Sequence, residues 1–107
     1  MKLLLDENLL KKLKQDFQDV EVFTVSDKGW KGKANGELIK LMRAENFDAL
    51  LTFDRNLKHQ QNFNKFPITV LALNAPDNTY LTLKELIPKI KRKLSEPLII
   101  GVTEVKL

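Results

Sequence analysis

The sequence predicts an α/β domain in which a mostly parallel sheet of about five strands is flanked by helices in three layers. Three observations predict it: short apolar runs, stretches of helical spacing that alternate with them, and turn residues at their junctions. Strands separated by helices pair in parallel, with right-handed crossovers covering both faces of the sheet. At roughly 100 to 150 residues per domain, a chain of 107 residues forms one core and has no room for a second lobe.

Leu3-Leu4-Leu5, stopped by Asp6-Glu7-Asn8, is a continuous run that suits a strand buried on both faces. Leu9, Leu10, Leu13 and Phe17 then recur at helical spacing, with Asn8 as the cap. Val20, Val22, Phe23 and Val25 form a second strand, closed by Ser26-Asp27-Lys28-Gly29, and a loop runs on through Lys33. From Gly36, with Asn35 as cap, Leu38, Ile39, Leu41 and Met42 give a helix that leads to Phe47. Ala49 to Phe53 is a third strand, stopped by Asp54-Arg55-Asn56, and the polar stretch to Lys65 is a loop or short helix. Pro67 opens a strand from Ile68 to Leu73, and Asn74 to Asn78 is a turn. Thr82 to Glu85 has the form of a capping box at the head of a helix whose apolar face includes Leu86, Ile90 and Leu94, bent at Pro88. Leu98 to Val105 is the last strand.

Composition narrows the function classes. With no cysteine there is no disulfide framework, zinc-thiolate site or thiol nucleophile. No apolar run approaches the ~20 residues of a membrane span, and the expected location is the cytoplasm. The net charge of +4 favours an anionic partner such as RNA.

In open parallel sheets the functional crevice lies beyond the carboxyl ends of the strands. Asp6 ends the first strand and Asp54 the third, so neighbouring strands would bring them to about 5 Å, the interstrand spacing. Glu37 opens a helix on that same edge. Three carboxylates repel one another, which favours a bound divalent cation, and an all-oxygen set favours Mg2+ or Mn2+ over zinc. Each acid also has an ordinary structural reading: Asp6 as a strand end or cap, Asp54 as a turn residue, Glu37 as a first-turn acid favoured by the helix dipole. Trp30 reads as a packing residue, His59 belongs to no nucleophilic triad, and the run Lys89, Lys91, Arg92, Lys93 reads as a solvated helix face.

The opening Met1 to Leu9, the central Gly29-Trp30-Lys31-Gly32 with Asn35-Gly36-Glu37-Leu38, and Leu51-Thr52-Phe53-Asp54-Arg55-Asn56-Leu57 leading to Gln60-Gln61-Asn62 resemble the small PIN-like proteins of bacteria. The resemblance implies a three-layer PIN-like fold and a nuclease that cuts RNA with Mg2+ or Mn2+ held by clustered acids, in many relatives the toxin of a toxin-antitoxin pair. It implies Asp6, Glu37 and Asp54 as catalytic and metal-binding residues, with Asn8, Asn35, Thr52 and Asn56 as supporting polar groups. Asn35 stands where many relatives carry an Asp, and Asp77 is the one candidate for a fourth acid. Lys28, Lys31, Lys33, Arg55 and Lys58 lie in loops expected to meet the RNA backbone. A small antitoxin protein is then a candidate partner, and a homodimer through apolar edge strands a candidate assembly. Two rival readings are a PIN-like binding module without catalysis, and a receiver-like signalling domain with Asp54 as phosphoacceptor.

Overall fold

Leu3, Leu4 and Leu5 have no side-chain surface left in water, as their unbroken apolar run requires of a strand covered on both faces. The computed structural model describes residues 1–53 and 68–107 of the chain. It is an α/β fold whose five strands are all parallel: β1 (Lys2–Leu5), β2 (Glu21–Thr24), β3 (Ala49–Thr52), β4 (Thr69–Asn74) and β5 (Gly101–Lys106). Their order is β2-β1-β3-β4-β5. This is the flavodoxin-like order, in which the chain departs from β1 in one direction and returns past it to β3, so that the switch point lies between β1 and β3. Among the described residues no helix is long and apolar enough to cross a membrane.

The side chains that alternate along the strands sort into two cores. On one face Leu4, Leu50 and Val70 pack under helix α1 (Asn35–Ala44) through Leu38, Ile39 and Met42, with Trp30 and Phe47 at the margin. Trp30 is buried, and its ring meets Phe47 edge-on at 5.8 Å, which bears out its reading as a packing residue. On the other face Leu3, Leu5, Leu51, Leu71 and Leu73 pack under a 3-10 helix (Lys11–Asp16), α2 (Tyr80–Lys84) and α3 (Ile87–Ser95).

Several local expectations are corrected. The segment after β1 is a 3-10 helix rather than an α-helix from Leu9: Leu13 N–H bonds Leu10 O and Phe17 N–H bonds Lys14 O, three residues back. Asn8 does not cap it, because its side-chain oxygen accepts from Phe53 N–H across the sheet. Lys11, Lys12 and Lys14 also place positive charge in a short helix whose N-terminal pole is already positive. Helix α1 begins one residue earlier than expected, with Ala34 as N-cap. The capping box at Thr82 is replaced by a start at Tyr80, where Asp77 Oδ1 accepts from Thr79 N–H (3.0 Å) and the Thr79 hydroxyl (2.6 Å). Pro88 lies in the first turn of α3, where its missing N–H costs least, and the expected bend is a break between α2 and α3. Leu98 to Ile100 precede β5 instead of forming it.

The crossovers do not share one hand. The chain passes from β1 to β2 over the face of the 3-10 helix, and from β4 to β5 in the opposite direction over that same face. Two crossovers on one face that run in opposite directions have opposite hand, so the expectation of uniformly right-handed connections is corrected. Leu83, Leu86, Ile87 and Ile90 are buried in the core beside the 3-10 helix. At roughly 1.5 to 3 kcal/mol for each such side chain, that burial holds α2 and α3 on this face.

Candidate functional site at the carboxyl edge of β1 and β3

Strand alternation carries Asp6 and Thr52 to the same face of the sheet, and the parallel register places them on adjacent strands: Leu5 faces Leu51, and Asp6 N–H bonds Leu51 O at 2.9 Å. Asp6 is only 8% exposed. Its Oδ2 accepts from the fully buried Thr52 hydroxyl at 2.7 Å, and its Oδ1 accepts from Glu7 N–H at 2.9 Å. Asn8 joins the same edge from both sides, since its side chain accepts from Phe53 N–H (3.2 Å) and its carbonyl accepts from Asn78 Nδ2 (3.0 Å). The structure thus brings together Asp6, Asn8 and Thr52, three of the residues singled out by sequence, at the switch point of the sheet.

The other expected members are placed differently. Asp54, Arg55, Asn56 and Lys58 lie outside the described residues, and so does the side chain of Asn35. Glu37 is in the first turn of α1, largely exposed, and pairs with Lys33 at 3.2 Å. Asp77 is exposed in the turn before α2, and its two bonds from Thr79, with Thr82 beside them, hold its carboxyl below the usual carboxylate range. Among the described residues no three acids or histidines stand close enough to hold a metal ion. Lys28 turns back over the rings of Phe23 and Trp30 and pairs with Glu45 at 2.5 Å, whereas Lys31 is exposed.

A second acid on this edge was not singled out by sequence. Thr24 N–H donates to Asp27 Oδ2 (2.8 Å) and Asp27 N–H donates to Thr24 Oγ1 (3.0 Å), closing a reciprocal ring at the end of β2. Lys14 pairs with the same carboxylate, and Lys11 stands 3.9 Å from it. The Lys14 ammonium, followed by the Thr24 backbone bond, lowers the Asp27 pKa to about 2. The Thr-x-x-Asp spacing was the available signal, because a hydroxyl and a carboxylate three residues apart can satisfy each other's backbone donors, as in a capping box. A cavity of about 130 Å3 lies between the two acids, lined by Asp6, Glu7, Lys11, Thr24, Ser26 and Asp27 among others. Compared with known proteins, the chain matches no family model, no curated protein and no solved structure.

Proposed function

We propose that the protein is a metal-dependent endoribonuclease that hydrolyses RNA phosphodiesters at the carboxyl edge of β1 and β3. One observation carries the reading: the nearly buried Asp6 carboxylate is fixed at the switch point by Thr52, which stands two residues before Asp54 in the chain. The donor set fits a hard cation, since Asp6, Asp54 and Glu37 offer only carboxylate oxygens. These three residues would hold Mg2+ or Mn2+. When bound, such an ion lowers the pKa of water and offsets the charge that develops on the phosphate.

The chain's own groups have separate tasks. The Thr52 hydroxyl sets the orientation of Asp6, and Asn8 fixes the backbone at Phe53, the residue before Asp54. Glu37 ligates the ion or orients the attacking water. A toxin role, with a small antitoxin protein covering this edge, is the corresponding biological setting.

The test is cleavage of a mixed single-stranded RNA with Mn2+, with Mg2+ and with chelator, comparing wild type with Asp54→Asn. Metal-dependent cutting that disappears in the variant supports the proposal; cutting that survives it, or none by either protein, overturns it. A second reading has the strand order alone in its favour, because an order with its switch point at β1 and β3 is also that of a receiver-like domain. Labelling of Asp54 by acetyl phosphate would select that reading.

A further inference from the structure

The positive charge of this chain is not spread evenly over its helices. The 3-10 helix carries Lys12 and, paired with Asp27, Lys11 and Lys14; α2 carries Lys84 and α3 carries Lys89, Lys91, Arg92 and Lys93, against Asp16 within the helices, Asp27 beside them and Glu85 between α2 and α3. That excess is larger than the +4 of the whole chain, so the rest of the molecule is net acidic. Helix α1, which covers the other face of the sheet, has only Lys40 and Arg43 against Glu37.

The fold assembles these charges into one surface. The 3-10 helix and α2 are neighbours: Tyr80 donates to Asp16 Oδ2 (2.9 Å) and accepts from Gln15 Nε2 (2.9 Å). The ammoniums of Lys12 and Lys84 both stand over its ring, at 4.5 and 5.7 Å. In α3 the buried Ile87 and Ile90 face the core, which leaves Lys89, Lys91, Arg92 and Lys93 exposed. Lys84, Lys91, Arg92 and Lys93 enter no ion pair among the described residues. At the other end of the surface, Lys11 lines the cavity that it shares with Asp6.

We infer that the outer face of the 3-10 helix, α2 and α3 is an RNA-binding surface that holds the phosphate backbone of a single strand leading to the Asp6 edge. Unpaired, exposed cations from two adjoining segments attract a polyanion by releasing its counterions, without any need for base contacts. A membrane surface fits less well. An interfacial helix needs an apolar face to insert, and α3 spends its apolar residues on the core while its outward side is basic. The main RNA contacts then lie away from the loop lysines, of which Lys28 and Lys33 are already paired with Glu45 and Glu37. Such binding stands whether or not the Asp6 edge cleaves.

The test is fluorescence anisotropy of a labelled, mixed-sequence single-stranded RNA of about 20 nucleotides, titrated in chelator so that cleavage plays no part. Lys12→Gln/Lys84→Gln/Arg92→Gln is compared with Lys40→Glu/Arg43→Gln, which lowers the charge by the same three units at exposed positions of α1, across the sheet from this face. The first variant should bind more than tenfold more weakly, and its log-log salt slope should fall by about 2, at ~0.7 per lost single-strand phosphate contact. The second should stay within about threefold of wild type. Lys12→Arg/Lys84→Arg should retain affinity, which separates lost charge from lost folding, and far-ultraviolet circular dichroism checks each variant. Equal losses in the two charge-removing variants, or no RNA binding by wild type, would overturn the inference. So would binding to phosphatidylserine vesicles in place of RNA.

Discussion

Asp6 and Asp27 end neighbouring parallel strands on the same edge of the sheet and line the same cavity, yet their surroundings give them different work. Asp27 is closed on itself: a ring with Thr24 and an ion pair with Lys14 tie the end of β2 to the 3-10 helix. Asp6 is more deeply buried, and among the described residues it accepts from a backbone N–H and the Thr52 hydroxyl. Position on a sheet edge therefore does not make an acid functional. What its oxygens are held by, and toward what, decides between a staple and a site.

The largest expected effect tests that distinction directly. Asp6→Asn should reduce metal-dependent RNA cleavage by more than roughly a hundredfold, the upper end of what partners of metal ligands cost. Asp27→Asn should leave cleavage within about threefold. Side-by-side rates on one RNA with saturating Mn2+ measure both, and equal losses would erase the contrast between the two acids.

The next effect concerns the group that orients Asp6. Thr52→Val keeps the volume and removes the hydroxyl bonded to Asp6 Oδ2. Stability should fall by about 1 to 3 kcal/mol, the range for taking a partner from a buried polar group, as read by urea unfolding. Cleavage should fall by ~10 to 100-fold. A variant as stable and as active as wild type would show that Asp6 needs no such support.

Asp27 predicts a smaller effect with a definite pH dependence. Its folded pKa lies near 2, below the ordinary value of 3.8, because Lys14 favours the ionised form. A lowered carboxylate pKa stabilises the folded state above the unfolded pKa, and the contribution disappears as pH falls through the folded one. Wild type should exceed Asp27→Asn by about 1 kcal/mol at pH 6, given the partial exposure of the pair. The difference should shrink between about pH 4 and pH 2. A difference that is constant over this range would show that folding does not favour the ionised form of Asp27.

How far the sequence reveals this follows from the range of the forces involved. The parallel sheet was legible because burial on both faces demands runs such as Leu3 to Leu5, and Asp6 because a charge is conspicuous at the end of such a run. Thr52 entered through the family resemblance, and its bond to Asp6 spans 46 residues, which no local pattern expresses. The 3-10 geometry was hidden for a similar reason, since Asn8 looks like a cap until β3 supplies Phe53 N–H as its partner. Lys28 looked like a loop cation because the aromatic rings and the Glu45 carboxylate that hold it come from other elements. The basic surface was legible only in part: Lys89 to Lys93 stood out as a charged helix face, whereas its union with Lys12 depends on the β4-to-β5 crossover lying on the same face as the 3-10 helix.

The smallest expected effect asks whether Glu37 belongs with Asp6 or resembles Asp27. Its partner Lys33 precedes α1, where a cation opposes the helix dipole, and the pair has the weaker orientation, Lys four residues before Glu. Lys33→Gln should therefore change unfolding stability by less than ~0.5 kcal/mol. If Glu37 serves the site, losing this competing cation should leave its carboxylate more available to a metal ion. The Mn2+ concentration for half-maximal cleavage should then fall by about twofold, while Asp6→Asn should cancel the gain. An unchanged Mn2+ requirement would make Glu37 a first-turn acid of α1 and leave Asp6 and Asp54 as the pair to which the metal answers.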